Sequence, residues 1–168
     1  MYSIVLACST DISMGKDMLC RASYLACFML FGIVASIPAH AQAADDVAGI
    51  QRTALDFEEG WYEGDVPRMA RALHPQFVMR HVHTNVTTGE SVLDQNITAA
   101  ELLQWTQAGR GKVPPARRKH DIRVLDIYNN AASAKIATWY GVDYLQLAKW
   151  NGRWVIVSVL WGKDPSAG

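Results

Sequence analysis

Two histidines that lie two residues apart, His81 and His83, have the side chains and the spacing for chemistry. The alternating segment 77–83 predicts a strand, so both imidazoles project from one face together with Phe77 and Met79. If that face lines an apolar pocket, either ring is a candidate base for proton transfer. His-x-His on a strand is also half of a metal site, but the sequence shows no third ligand, so no metal is predicted. Polar lining of a pocket and exposure to solvent are the alternatives for both rings.

Asp143 is the third candidate for catalysis, because it shares a predicted strand face with Leu145 and Leu147. That pattern predicts a carboxylate that is either buried with a partner or placed at the mouth of a pocket. A buried carboxylate is costly unless it is paired, so its role is either proton transfer or a structural ion pair. The partners that the sequence offers are Arg80, Arg123 and His81.

Aromatic residues are frequent in the second part of the chain, where all six tryptophans follow residue 60. Flat ring ligands bind well between aromatic faces, although such side chains also build protein cores. We predict that four of them line a ligand pocket, with His81 as a further contact. The four are Tyr62, Trp105, Tyr140 and Trp161.

Two helices precede the candidate strand. The first has an apolar stripe at three- and four-residue spacing, an N-cap at Asp45 or Asp46, and an end marked by Gly60 and Gly64. A short second helix starts at Asp65 and stops at His74–Pro75, where His74 is interpreted as a structural cap. The stripe of the first helix consists of Val47, Ile50, Ala54, Phe57 and Trp61.

A third helix follows an irregular segment, 84–97, and begins at the capping box Thr98–Glu101. The last third of the chain predicts four strands, at 121–128, 132–140, 142–150 and 153–161. Asn151–Gly152 between the last two is typical of a type I′ hairpin turn. This order predicts an α+β fold in which three N-terminal helices pack on a strongly curved antiparallel sheet that encloses a pocket.

The element order and several short motifs resemble the putative lumazine-binding family of the nuclear transport factor 2-like (SnoaL-like) superfamily. The resemblance covers nearly all of residues 45–163 and implies a cone-shaped fold with a pocket at its open end. The superfamily includes isomerases, cyclases and dehydratases as well as non-catalytic binders and dimerisation modules, so the fold does not decide the chemistry. The matching motifs are EGWYEGD at 59–65, LHP at 73–75, TAAEL at 98–102, DIRVLD at 121–126, DYLQL at 143–147 and GRW at 152–154.

The N-terminal part, residues 1–43, is predicted to be a cleavable export signal, with Met18 as an alternative start. Arg21 precedes an apolar run that ends at Ile37, and Ala39, Ala41 and Ala43 supply the A-x-A pattern that signal peptidases cleave. A retained membrane anchor is the alternative. Because Cys8, Cys20 and Cys27 all lie in this segment, the mature domain, residues 44–168, has neither a thiol nucleophile nor a disulfide.

The balance of charges argues against nucleic acid as a partner. Sixteen basic and sixteen acidic residues cancel, whereas phosphate binding requires a basic excess. From the export signal we expect a periplasmic or secreted domain that does not stay on the membrane after signal removal. From the aromatic residues and the family resemblance we expect it to bind a small aromatic or heterocyclic ligand without a cofactor and to be a homodimer. The alternatives are a SnoaL-like isomerase, cyclase or hydratase that uses a His or Asp base, and a structural dimerisation module.

Overall fold

The protein, described over residues 39–164 by a computed structural model, begins with a long helix, α1, at Ala39–Glu63. The apolar run of the predicted export signal and the three cysteines lie outside the described residues. The stripe predicted for α1 is real, since Ile50, Ala54 and Phe57 are buried. The helix ends at Gly64, whose φ of 72° only glycine adopts readily.

The prediction that Asp45 or Asp46 caps α1 is wrong, because the helix already begins at Ala39. The Asp46 carboxylate instead accepts hydrogen bonds from Lys149 Nζ at 2.6 Å and from Trp154 Nε1 at 3.0 Å. Asp46, which the local pattern assigned to a helix cap, therefore makes tertiary contacts instead. It ties α1 to the sheet.

The second helix, α2, spans Val66–Ala72 and begins as predicted, because Asp65 Oδ1 accepts a hydrogen bond from the Arg68 backbone at 3.0 Å. The chain then enters strand β1, Leu73–Thr84, without a loop. His74 lies at the start of β1, where its Nδ1 accepts a hydrogen bond from the Gln76 backbone at 3.1 Å. This bond gives His74 a structural role.

A second strand, β2 at Ser91–Thr98, runs antiparallel to β1. The prediction of an irregular segment at 84–97 is therefore wrong over most of its length. Two features hide the strand pattern: β2 is an edge strand with mostly exposed side chains, and its pairing with β1 is interrupted by a bulge between Met79 and His81. A bulge breaks the two-residue alternation by which a strand is recognised in a sequence.

The third helix, α3 at Ala99–Gln107, starts at the predicted capping box. Thr98 Oγ1 accepts a hydrogen bond from the Glu101 backbone at 3.3 Å, and the Glu101 carboxylate accepts one from the Thr98 backbone at 2.9 Å. These two bonds satisfy backbone donors that a helix start leaves without partners.

We expect Thr98→Ala to lower the free energy of unfolding by about 1 kcal/mol, because one of these donors loses its acceptor. Urea unfolding followed by circular dichroism measures the change. Thr87→Ala, in the exposed turn between β1 and β2, is the control and should be neutral. Equal stability of the Thr98 variant and the parent would contradict the role of the cap.

The remaining strands are β3 at Asp121–Tyr128, β4 at Ala131–Ala137, β5 at Gly141–Trp150 and β6 at Arg153–Lys163. Before β3 stands a single 3₁₀ turn, Pro115–Arg117. The Asn151–Gly152 turn has φ values of 50° and 79°, which confirms the predicted hairpin. The strand predicted to continue to residue 140 ends at Ala137.

The six strands form one sheet in the order β2-β1-β6-β5-β4-β3. All neighbours are antiparallel except β1 and β6, so the expected purely antiparallel sheet is mostly antiparallel with one parallel pair. This pair joins the first and the last strand along the chain, and a pairing between such distant segments has no turn motif in the sequence that would predict it. The predicted α+β class with three helices on a curled sheet is confirmed, although two strands, β1 and β2, precede α3 where the sequence predicted one.

The main core lies between the helices and the sheet. Phe57 of α1, Met69 of α2 and Leu102 of α3 pack with buried sheet residues that include Ile136 and Leu145. Within residues 39–164, no helix has both the length and the apolar character that crossing a bilayer requires.

Candidate functional site

A cavity of about 260 Å³ lies within the described domain. Five of its lining residues are aromatic: Phe57, Trp61, Trp105, Tyr140 and Trp161. Aliphatic contacts come from Met79, Ile97 and Leu102, and Gln95 adds a polar side chain. Pockets for drug-sized ligands have about 300–1,000 Å³, so this cavity suits one small ring system.

The sheet register places three site residues in one row across neighbouring strands. Trp161 of β6 lies opposite Asp143 of β5 on one side and opposite His81 of β1 on the other. Directly paired residues in a sheet project from the same face. The row therefore carries His81, Trp161 and Asp143 on the face that looks toward the cavity.

Tyr140 stands in a tight turn between β4 and β5, not in the strand predicted for it. The turn is closed by a hydrogen bond from the Thr138 backbone to the Gly141 carbonyl at 2.9 Å and by one from the Gly141 backbone to Thr138 Oγ1 at 3.0 Å. The turn brings the Tyr140 ring to the cavity wall, with its centroid 5.8 Å from that of Trp161.

Asp143 is fully buried, and the Tyr140 hydroxyl donates a hydrogen bond to its Oδ2 at 3.2 Å. Its Oδ1 has no hydrogen-bond partner among the described residues. Burial raises the pKa of Asp143 to about 7, and the hydrogen bond from Tyr140 offsets this only in part. Burial and the charge of Asp143 together raise the pKa of Tyr140 well above its ordinary value.

A second buried acid, Glu58 of α1, accompanies Asp143. Neither Glu58 oxygen has a well-aligned donor in the part of the chain that the structure describes. Burial, and after it the charge of Asp143, raises the pKa of Glu58 to about 8, although the Tyr62 hydroxyl lies near enough to oppose the shift. The two carboxyl groups therefore hold protons near neutral pH, which is the range in which general acids and bases work.

Tyr62 lies one helical turn after Glu58 and is almost completely buried. Its hydroxyl donates a hydrogen bond to the Lys119 carbonyl at 3.3 Å. Burial, followed by the charge of Glu58, raises the pKa of Tyr62. Tyr62 thus belongs to the buried polar group behind the cavity.

Of the two candidate histidines, His81 belongs to this row and His83 follows it on β1. The His81 ring stacks on Trp161 at a centroid distance of 4.0 Å, and the His83 ring stacks on His81 at 4.7 Å. His81 Nδ1 lies 3.2 Å from Asp94 Oδ1 on β2. Neither histidine is among the residues that line the cavity.

The structure thus brings together only some of the predicted site residues. Trp105, Tyr140 and Trp161 line the cavity, while Tyr62 and His81 lie behind or beside it. No cation predicted for Asp143 pairs with it: Arg80 bonds Asn96, Arg123 bonds Asp121, and His81 bonds Asp94. Because a protonated carboxyl group carries no charge, Asp143 can be buried in that form without a cation as its partner.

Sequence reasoning missed Glu58 altogether. The usable signal was its position on α1, four residues after Ala54 and four residues before Tyr62, which puts it next to the apolar stripe. An acidic residue beside such a stripe is usually at the boundary with solvent, so the pattern alone favours the wrong interpretation.

Comparison with known proteins agrees with the geometry. The family profile described as "Putative lumazine-binding" matches residues 45–162 of the chain. The chain belongs to this family. Among curated proteins, no similar sequence is found.

Solved structures extend the agreement to the fold of this domain. An NTF2-like protein of unknown function from Shewanella baltica OS155 has a TM-score of 0.57 and 24% identity, covering 73% of this chain and 97% of that chain. An NTF2-like protein with a cystatin-like fold from Novosphingobium aromaticivorans has a TM-score of 0.56 at 9% identity, covering 81% and 93%. At these identities the likeness establishes the NTF2-like fold alone, as the resemblance implied.

Proposed function

We propose that this domain binds a small, flat aromatic or heterocyclic molecule in the aromatic cavity and catalyses no reaction on it. The observation that carries the proposal is a cavity with aromatic walls and a few polar atoms on one side, the usual composition of a small-molecule site. The family description points to a heterocyclic ligand of this shape. Trp105 and Trp161 both line the cavity and offer aromatic faces to a planar ring system.

The polar atoms indicate where the ligand's polar group would lie. Trp161 Nε1 is buried and has no hydrogen-bond partner among residues 39–164, so an acceptor on the ligand would satisfy it. The Tyr140 hydroxyl is the second donor. When Asp143 is protonated, its O–H can donate to the Tyr140 oxygen, which leaves the Tyr140 hydrogen for the ligand. The site therefore favours a neutral ring with a carbonyl-type acceptor.

Native mass spectrometry of the purified protein tests the proposal directly, because a retained ligand adds its mass. Lumazine, a flat bicyclic heterocycle, is the probe for titration by tryptophan fluorescence. We expect Tyr140→Phe to weaken binding about threefold to tenfold through loss of one hydrogen bond. Trp105→Ala should weaken it by about tenfold or more through loss of an aromatic wall.

Matched controls exist on the exposed side of the sheet. Tyr144→Phe and Trp150→Ala change the same residue types at positions 47% and 52% exposed, and both should leave the affinity unchanged. The proposal fails if the protein retains no small molecule and binds neither lumazine nor other planar bicyclic compounds, or if the control variants lose affinity as much as the cavity variants.

Proton transfer is the second candidate function, with the domain acting as an isomerase, cyclase or hydratase. It is favoured by one specific observation: Asp143, whose pKa is about 7, is hydrogen-bonded to the cavity residue Tyr140, and a second buried acid, Glu58, with a pKa of about 8, lies near enough to Asp143 to feel its charge. Incubating the protein with its retained ligand in D₂O and following the ligand's C–H signals by NMR decides between the candidates. Hydrogen–deuterium exchange at the ligand's C–H groups that Asp143→Asn abolishes would establish catalysis. If the ligand's C–H signals do not change, binding is the function.

Export and dimerisation complete the proposal. The apolar run before Ile37 and the alanines that follow support action in the periplasm or outside the cell, which N-terminal sequencing of exported material tests. Val82, Tyr144 and Leu160 are exposed, and the latter two lie opposite each other on the outer face of the sheet. That apolar face supports a homodimer, which the subunit count from native mass spectrometry tests.

A further inference from the structure

Outside the cavity, three residues with metal-binding side chains meet where β1 and β2 pair. We call His81, His83 and Asp94 the His–Asp cluster. His81 lies opposite Asp94 in the register, directly after the bulge, and His83 follows on the same strand face. The His-x-His pair that the sequence offers as half of a site thereby acquires a third candidate ligand from another strand.

The distances within the His–Asp cluster fit one small cation. His81 Nδ1 lies 3.2 Å from Asp94 Oδ1, and His83 Nδ1 lies 3.8 Å from Asp94 Oδ2. The ligand atoms of all three residues lie within 4.8 Å of one another. Zinc bonds nitrogen and oxygen at about 2.0–2.2 Å, so neighbouring ligands around a tetrahedral ion are about 3.4 Å apart. The observed separations bracket that value, and small side-chain rotations close the remainder.

The surroundings leave the cluster available for a cation. The Asp94 carboxylate lies beside the rings of His81 and His83 and, within residues 39–164, forms no salt bridge with a lysine or arginine. His83 Nδ1 is buried without a hydrogen-bond partner in the described domain. Buried polar atoms without partners are uncommon in native proteins, and a cation bound between the rings and the carboxylate would satisfy this nitrogen.

We propose that the His–Asp cluster binds one divalent transition-metal cation, with Zn²⁺ as the ion of choice. Two imidazoles and one carboxylate are ligands that Zn²⁺, Co²⁺ and Ni²⁺ accept, whereas Ca²⁺ and Mg²⁺ prefer oxygen throughout. The side chains of His83 and Asp94 are 37% and 44% exposed, so a bound ion has access to water in its remaining position. Because His81 stacks on Trp161, this site adjoins the cavity wall.

Zinc titration of the full chain, monitored by isothermal calorimetry and by competition with a chromophoric chelator, tests the inference. All proteins compared carry Cys8→Ser, Cys20→Ser and Cys27→Ser, because thiolates bind zinc by themselves. We expect one Zn²⁺ per chain. Co²⁺ should give the visible absorption of a site without sulfur ligands.

Asp94→Asn and His83→Gln should each weaken Zn²⁺ binding by more than about tenfold. Removing a residue that only hydrogen-bonds to a metal ligand already costs about tenfold or more, and these two variants remove a ligand itself. His120→Gln, which removes a histidine paired with Glu59, is the matched control and should bind as the parent does. Circular dichroism checks that each variant is folded. Absence of stoichiometric binding by the parent at micromolar Zn²⁺, or parent-like binding by both cluster variants, would overturn the proposal.

Discussion

The free energy of unfolding is expected to fall by at least about 3 kcal/mol between pH 5 and pH 9, since a pKa difference of one corresponds to about 1.36 kcal/mol. In the folded protein the pKa of Glu58 is about 8 and that of Asp143 about 7, against ordinary values of 4.5 and 3.8. The folded state therefore holds protons that the unfolded chain releases. This stabilisation is complete below about pH 4 and is lost as the pH rises through 7 and 8. Urea unfolding at a series of pH values measures it.

Variants assign the pH dependence to these two groups. Glu58→Gln and Asp143→Asn replace each carboxyl group by a neutral amide of the same shape, so the double variant should show a much flatter pH profile than the parent. Asp126→Asn, an exposed position on β3, is the control and should keep the parent's slope. Stability that rises with pH, or a double variant with an unchanged slope, would contradict the protonated state of the pair.

Gly141→Ala is expected to destabilise the protein by about 3 kcal/mol or more and to abolish ligand binding, at the upper end of what overpacking costs. A Cβ at position 141 would lie 2.1 Å from the Gly162 carbonyl oxygen and 3.0 Å from the Cα of Lys163. These are backbone atoms of β6, so the strands must separate where Tyr140 and Asp143 are held. Urea unfolding and the lumazine titration measure the two effects.

The facing strand supplies the control for this prediction. Gly162→Ala places its Cβ no closer than 3.7 Å to another atom, the Val82 carbonyl oxygen, which is an ordinary contact. We expect this variant to change the free energy of unfolding by less than about 1 kcal/mol and to leave binding intact. A Gly141 variant as stable as the Gly162 variant would show that the close approach of the strands is not required.

Both predictions concern the same small region, in which a tight turn, a buried acid and a cavity wall are combined. Fully buried carboxyl groups without ion-pair partners cost stability, and apolar residues of similar volume would pack there more favourably. Their presence beside an aromatic cavity is therefore best explained by a role in recognising a ligand or moving a proton. The pH series and the ligand titration examine that role independently.

The sequence by itself determined the features that depend on a few neighbouring residues. The Asp65 cap, the Thr98–Glu101 capping box and the Asn151–Gly152 turn are formed by local hydrogen bonds and local backbone preferences. The α+β class follows from the order of such elements, and the family resemblance follows from short motifs spread over residues 45–163. Trp105, Tyr140 and Trp161 line the cavity because large aromatic side chains tend to occupy enclosed surfaces, and their role as ligand contacts stays a prediction.

Only the tertiary structure decided what depends on distance through space. The partner of Asp143 is Tyr140 and its acidic neighbour is Glu58 on a helix 85 residues earlier, a proximity that no local pattern encodes. Asp94 joins His81 and His83 only through the pairing of an edge strand whose alternation is broken by a bulge. Protonation and metal affinity depend on burial and on separations of a few ångströms, and folding sets both by bringing distant segments together.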